Sequence, residues 1–458
     1  ALPILLREHP SPNEADADGT SALHWAVHQD ARETAAALIK AGAAVDAANR
    51  YGVRPSYLAA ENGSAPLMRA LLDAGADARA VFAQGETVLM TAARTGNVAT
   101  IEALVAAGAD VNAKEGRDGQ TALMWAAAAN NGPAVIALLK AGAERDAVDR
   151  AGTFTALAFA VRAGAVEGVK ALLDAGVSAD ATLPDGMSML VLALLNSNYA
   201  VASTLLDYHA NPNASAQGWT PLHQIALVRR WVRGFNLPGP EHRDPQESLD
   251  LVRKLAARGA DLNARLTREP RDGNRNSMKR MGATPFLLAT KALDLPYMQL
   301  LLDLGADPKL ATDEGTNALM AAAGVGQGFA SAGQAPGSID EAIAALELTQ
   351  KVGAGSVNDR NKANETPLHG AMYRGGSIEL IDWLVEHGAS LDAVVNDRGW
   401  TPLRIADGIA LDGLAFIRYP ETADHIRALM AARGMPVPPV VWDGPGGVYK
   451  PRNPPAAR

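Results

Sequence analysis

A motif of about ten residues returns through this chain at an almost constant interval, and this recurrence limits the possible folds more than any other feature. It first reads DGTSALHWAV and later QGETVLMTAA, DGQTALMWAA and QGWTPLHQIA. Its turn glycines are mostly 32 to 35 residues apart, with two larger gaps. A short, constant period predicts a stack of similar units. The residues that mark this register are Gly19, Gly52, Gly85, Gly119, Gly152, Gly186, Gly218, Gly282, Gly315, Asn364 and Gly399.

Each unit has the pattern of two short helices that follow a turn. Glycine permits a positive φ in the turn, and the Ser or Thr two residues later can cap the first helix. Small and apolar residues at helical spacing follow, as in ALHWAV. A second helix such as ETAAALIKAG ends in Gly, which suits a left-handed terminus. Because one pair cannot bury its apolar face alone, we expect neighbouring units to stack.

The motif resembles the T-P-L-H signature of the ankyrin-repeat family. Residues 220–223 and 366–369 match it in full, and residues 21–24 read SALH. The resemblance covers residues 1–434 and implies an all-α solenoid of about eleven repeats, each a pair of antiparallel helices with a β-turn finger. It also implies that the motif histidines are structural. Three residues depart from the Thr and His positions of the family and put local capping in doubt: Arg54, Tyr57 and Arg404.

Both ends of the chain differ from the regular repeat. Residues 1–17 align with the second half of a unit, so we expect a partial first repeat and a natural chain that starts further upstream. Residues 435–458 contain seven prolines and predict an extended, proline-rich tail. Trp442 and Tyr449 are the side chains through which we expect this tail to dock on the last repeat or on a partner.

Composition excludes several kinds of site. The chain has no cysteine, which removes disulfides, thiolate nucleophiles and Cys-based metal sites. No apolar run reaches the roughly 18 residues of a membrane-spanning helix, so we expect no transmembrane segment. The net charge of −8 argues against nucleic acid as a partner. No histidine pair has metal-ligand spacing and no nucleophile–base arrangement is visible, so we expect no metal, no cofactor and no enzymatic activity.

Four inserts interrupt the repeat. Those near residues 229–246, 324–339 and 408–420 separate the first helix of a unit from the second. The insert near residues 265–281 lengthens a turn instead, and so projects from the opposite edge. Insertions in a solenoid fall in loops and often lie on a functional face.

Residues 229–280 carry 13 Lys or Arg against 7 Asp or Glu, which is the strongest charge asymmetry of the chain. One interpretation is a recognition surface for an acidic partner protein, since Arg and Trp are frequent interface hot spots. The alternative is internal: the arginines attach the long loops to acidic turns of the same chain. The candidate residues are Arg229, Arg230, Trp231, Arg233, Arg268, Arg271 and Arg275.

The regular repeats offer a second candidate surface. In ankyrin proteins, partners usually contact the turn tips and the exposed end of the first helix, which form a concave strip. Exposed aromatic and arginine side chains on such a strip favour protein binding. The positions of this sequence that the resemblance selects are Tyr51, His28, Arg94, Arg162, Trp219, Tyr373, Arg374 and Trp400.

These features predict a non-enzymatic scaffold or adaptor that binds a partner protein through the concave surface and the basic inserts. Two alternatives remain: an accessory or structural subunit of an exported or envelope enzyme complex, and a small-ligand or catalytic pocket formed by the inserts. The chain looks like long bacterial ankyrin proteins with Ala-rich helices and no cysteine, which are often exported. We therefore expect a periplasmic or secreted location, with a cytoplasmic one as the alternative. Neither the partner nor the oligomeric state is determined by these residues.

Overall fold

The structure is a computed structural model that describes residues 11–230, 245–270, 278–327, 337–391, 396–411 and 415–441. Within these ranges almost all of the regular secondary structure is α-helix, as the repeat predicts. It divides into two compact units, Ala1–Asn211 and Pro212–Arg458. No helix of the described ranges combines the length and the apolar character needed to cross a membrane.

The N-terminal unit is a series of helix pairs, one pair for each recurrence of the motif. Most first helices have seven or eight residues and the second helices have nine. A short 3-10 turn, Ala83–Gly85, lies in the third turn finger. The helices of this unit are α1 Ala22–His28, α2 Arg32–Lys40, α3 Pro55–Glu61, α4 Ala65–Asp73, α5 Val88–Thr95, α6 Val98–Ala106, α7 Ala122–Ala128, α8 Gly132–Lys140, α9 Ala156–Ala163, α10 Val166–Asp174, α11 Met189–Leu195 and α12 Tyr199–Asp207.

The C-terminal unit repeats this arrangement with longer connections. It also contains a two-stranded antiparallel ribbon in which Ile409 pairs with Ile417. Its elements are α13 Pro221–Arg229, α14 Pro245–Ala257, α15 Pro285–Lys291, α16 Leu295–Asp303, α17 Ala318–Ala323, α18 Ile339–Lys351, α19 Pro367–Tyr373, α20 Ile378–Glu386, α21 Pro402–Asp407, β1 Ile409–Leu411, β2 Ala415–Ile417 and α22 Pro420–Ala432.

Within each unit, a first helix packs against the first helices of the neighbouring pairs, and against the second helix of its own pair. Alanines occupy these contacts: Ala59, Ala92 and Ala126 are completely buried at equivalent positions of α3, α5 and α7. A methyl group lets two helix axes approach closely, which confirms the role predicted for the small residues of the motif.

Three inserts precede a second helix that is longer than the regular one. Helices α14, α18 and α22 each have 13 residues, against nine in α16 and α20. The insert near 408–420 contains the β1–β2 ribbon. An insert therefore adds about one turn to the second helix in addition to its loop.

The first helices begin where the motif places its Ser or Thr. The hydroxyls of Thr87, Thr121 and Thr155 accept hydrogen bonds from backbone N–H groups in the first turn, as predicted for caps. Arg54 makes no such cap, and its guanidinium instead donates to the carbonyl of Asp46 at 2.5 Å. Pro55 at the first helical position leaves one fewer N–H to satisfy there.

The motif histidine joins one repeat to the next. The Nδ1 atom of His223 accepts from the backbone N–H of Thr220 at 3.2 Å, and its Nε2–H donates to the carbonyl of Ala283 in the next turn at 3.1 Å. His24 and His369 make the equivalent contacts to the following turns. The structural role predicted for these histidines is confirmed.

The first part of the proline-rich tail lies against the last repeat. The Nε–H of Arg427 donates to the carbonyl of Pro438 at 3.1 Å, and the N–H of Val441 donates to Asp407 at 3.3 Å. Arg404 also donates to the carbonyl of Val441. The two aromatic anchors predicted for the tail lie outside the described residues.

The buried His223 makes the stability of the C-terminal unit depend on pH. Burial lowers its pKa to about 4, whereas the usual value is 6.5. Between these values the unfolded chain binds a proton that the native chain does not. Stability is therefore complete above pH 6.5 and falls as the pH drops toward 4, by ~3 kcal/mol. Urea unfolding of wild type and His223→Gln, compared at pH 7.5 and 4.5, should show a steeper loss in wild type. The exposed His28→Gln is the matched control, and parallel losses in all three proteins would contradict the prediction.

Candidate functional site

Arg229, the last residue of α13 and the first of the insert, forms an ion pair inside the protein. Its Nε and Nη2 groups donate to the two carboxylate oxygens of Asp294 at 2.7 and 3.1 Å. Both side chains are at most 5% exposed, and Arg229 also donates to Ser248 on α14. This bidentate pair joins the end of α13 to the start of α16. Arg229 therefore attaches the insert to the same chain, which was the alternative to partner binding in the sequence analysis.

Arg230 has a similar internal role. Its guanidinium donates to the carbonyl of Leu293 and to Glu341 of α18, both at 2.6 Å. The hydrogen bond from Arg230 is the largest of the effects that hold the pKa of Glu341 below its usual value. The segment that opens the insert is thus attached to the two following repeats.

The lengthened turn near 265–281 also uses its cations locally. Arg265 pairs with Asp313 at 3.1 Å, Lys279 with Glu314 at 3.7 Å, and the buried Arg280 donates to Glu269 at 3.0 Å. Arg268 is exposed. The other candidates of the two inserts lie outside the described residues: Trp231, Arg233, Arg271 and Arg275.

Two residues expected to be exposed on the regular repeats are buried instead. Tyr373 is 3% exposed and Arg374 is 5% exposed. The hydroxyl of Tyr373 lies between Glu365 and Asn396, to which it is hydrogen-bonded. Burial lowers the pKa of Arg374 to about 10. The prediction of exposure was wrong here because side chains of the adjacent turns and helices cover this end of α19.

The remaining candidates of the regular repeats reach the surface to different degrees. Tyr51 is 56% exposed, with the Arg50 guanidinium 4.7 Å from its ring centroid. Arg162 lies over the ring of Phe154 at 4.7 Å. Three others have these neighbours: Arg94 pairs with Glu61 at 3.9 Å, the indole N–H of Trp219 donates to Gln224, and Trp400 lies 5.4 Å from the guanidinium of Arg398.

Sequence reasoning missed Trp25. This side chain on α1 is 52% exposed, and His28 lies edge-on to its ring at 6.2 Å. A signal was present, because DGTSALHWAV and DGQTALMWAA both place Trp at the eighth position of the motif, where most other units have smaller residues. We define the inner surface of a unit as its turn fingers together with its first helices. Trp25 and Tyr51 belong to the inner surface of the N-terminal unit.

The C-terminal unit contains a cavity of about 140 Å³ between its turn fingers and the end of α17. The lengthened turn reaches across to this helix end, where the N–H of Met278 donates to the carbonyl of Gly326 at 3.3 Å. Gly326 has a φ of +85°, and a Cβ there would lie 2.1 Å from the Cβ of Met278. Only glycine permits this approach. The polar and charged lining residues are Lys279, Glu314, Thr316, Asn361, Glu365, Asn396, Asp397 and Arg398.

Glu365 is the most firmly held carboxylate of the cavity. Its Oε1 accepts from the hydroxyl of Tyr373 at 2.9 Å, and its Oε2 accepts from Nδ2 of Asn361 at 3.0 Å. Nδ2 of Asn396 donates to the same tyrosine oxygen at 3.0 Å. Burial, then the charge of Glu365, raises the pKa of Tyr373, which keeps the phenol a neutral donor. In the described ranges, no cluster of three or more His, Asp or Glu side chains is arranged to hold a metal ion.

Removing the buried cation tests its structural role. Arg229→Met leaves Asp294 buried without its charged partner, so we expect a loss of about 3–5 kcal/mol in the free energy of unfolding. Arg253→Met is the matched control, because it breaks an exposed pair with Asp250 and should cost less than about 1 kcal/mol. Chemical denaturation of the three proteins measures both effects, and equal costs would show that Arg229 does not hold these repeats together.

Two family models match long stretches of this chain. A family model described as ankyrin repeats (3 copies) matches residues 1–82, 57–149, 89–183 and 157–231. A second, described as ankyrin repeats (many copies), matches residues 368–406. Among solved structures, the human ASB11 ankyrin repeat domain matches with 25% identity and a TM-score of 0.43, over 53% of this chain and 99% of that one. A comparison with curated proteins gave no match. The family models together cover more than half of the sequence, and the chain belongs to the ankyrin-repeat family.

Proposed function

We propose that this chain is a non-catalytic scaffold that binds a partner protein through the inner surface of its N-terminal unit. The exposure of Trp25 and Tyr51 carries the proposal, since more than half of each large aromatic side chain is open to solvent. Trp and Tyr are enriched among residues that dominate binding energy, because they bury much area with little loss of side-chain freedom. Ankyrin repeats are generally protein–protein interaction modules.

The basic inserts support the proposal less directly than their charge suggests. The guanidinium groups of Arg229 and Arg230 form ion pairs with Asp294 and Glu341, so an acidic partner would have to break these pairs. Arg268 is exposed and remains available to a partner. In the recognition surface we propose, the aromatic residues Trp25 and Tyr51 therefore contribute most, and basic residues such as Arg268 add to them.

A pocket is the second candidate function, and the cavity of the C-terminal unit favours it. It lies where the lengthened turn meets the start of another insert, as expected for a site built by inserts. Its volume of about 140 Å³ is below the ~300–1,000 Å³ of pockets that enclose a drug-sized ligand. A single side chain or a very small ligand fits this space better than a metabolite.

Truncating the exposed aromatics tests the scaffold. Trp25→Ala combined with Tyr51→Ala should lower partner affinity at least tenfold, since two hot-spot residues each contribute about 2 kcal/mol. Partner recovered on immobilised protein from a native extract is identified with wild type, and its affinity for each variant is then measured with purified components. Ile136→Ala is the matched control, because this residue of α8 is 44% exposed on a second helix. Equal affinities for wild type and the double variant would overturn the proposal.

A periplasmic or secreted location in a bacterium is part of the proposal, with the cysteine-free composition as its support. Fractionation of native cells by osmotic shock checks it: we expect the protein in the released fraction or in the medium. Recovery with a cytoplasmic marker enzyme would favour the cytoplasmic alternative.

A further inference from the structure

The cavity of the C-terminal unit has a charge balance that selects its occupant. Its lining includes two cationic and three anionic side chains. Lys279 pairs with Glu314 at 3.7 Å, and the guanidinium of Arg398 lies 5.4 Å from the ring centroid of Trp400. Among the described residues, Glu365 and Asp397 take part in no ion pair. The lining has one more carboxylate than cation, so an incoming cation would meet a net negative charge.

The carboxylate of Glu365 is oriented before any ligand arrives. Neutral donors, the phenol of Tyr373 and the amide of Asn361, hold one oxygen each. A carboxylate has about four acceptor sites, so both oxygens retain capacity for a further donor. Because the donors are neutral, they fix the position of the negative charge without cancelling it. A preoriented charge lowers the cost of ordering when a partner binds.

We propose that this cavity receives the guanidinium group of an arginine side chain from a partner polypeptide. The proposal rests on the proposed function of the chain as a protein-binding scaffold. Guanidinium fits the cavity better than ammonium, because Met278 and Val325 add apolar surface beside the carboxylates. A guanidinium is planar and weakly hydrated, and it binds a carboxylate through two parallel N–H donors.

The probe for the test is capped arginine, N-acetyl-arginine methylamide, titrated into the full chain. The ¹³C-methyl signal of Met278, assigned with Met278→Leu, reports binding inside the cavity. We expect a saturable shift with a millimolar dissociation constant, binding of capped lysine at least threefold weaker, and no shift with capped glutamate. A missing shift with capped arginine, or equal binding of capped lysine, would overturn the proposal.

Two variants locate the recognition on Glu365. Glu365→Gln keeps the shape of the side chain and removes its charge, so affinity for capped arginine should fall at least tenfold. Glu347→Gln is the matched control, since this exposed residue of α18 lies outside the cavity lining, and it should bind as wild type does. Unchanged affinity in Glu365→Gln rejects the site. If thermal melting shows that this variant is unfolded, Asp397→Asn at the exposed rim replaces it, with an expected loss of at least threefold, and no loss rejects the site.

The same variants separate this proposal from the scaffold function. A partner bound by wild type but not by Trp25→Ala/Tyr51→Ala supports the scaffold whatever the cavity does. If Glu365→Gln then binds that partner as tightly as wild type, the arginine site is wrong and the scaffold stands. If capped arginine binds as expected while Trp25→Ala/Tyr51→Ala keeps its partner, the proposal for the inner surface of the N-terminal unit is wrong. The proposal for the arginine site in the cavity then stands.

Discussion

A pair of helices with seven and nine residues cannot enclose a core of its own, and the rest of this structure depends on that limit. Each pair must bury its apolar face against its neighbours, which explains the completely buried alanines Ala59, Ala92 and Ala126 at the contacts between first helices. It also explains why the motif histidine binds the next turn and not only its own. The turns, the loops between helices and the ends of the second helices can then accept extra residues without breaking the stack.

The inserts of the C-terminal unit show what such additions require. A long loop loses much conformational freedom when it orders, so its ends need strong anchors. Arg229 and Arg230 provide them through Asp294 and Glu341, and Arg280 does the same through Glu269. Part of the positive charge of this region is therefore already paired within the protein. A charge excess in a sequence indicates a binding surface only where the charged residues have no partners inside the protein.

The period, the caps and the histidines were predictable because each depends on residues within one unit or its immediate neighbour. The burial of Tyr373 was not, since it requires Glu365 and Asn396 from two different turns to meet one hydroxyl. The cavity could not be predicted from the sequence either, because it requires contact between Met278 and Gly326, which are 48 residues apart in the sequence. The glycine-rich stretch near 324–339 was predicted to be an insert. Its spacing gave no sign that Gly326 would be the point of closest approach.

The two candidate surfaces differ in the kind of recognition they can supply. Exposed aromatic side chains such as Trp25 gain affinity from the area they bury, with modest demands on the geometry of the partner. A held carboxylate such as Glu365 contributes mainly to specificity, because a partner without a matching cation would leave its charge desolvated and unpaired. A scaffold that has both can bind through one surface and discriminate through the other. This division follows from the chemistry of the side chains, since the stacked helices of both units are built on the same plan.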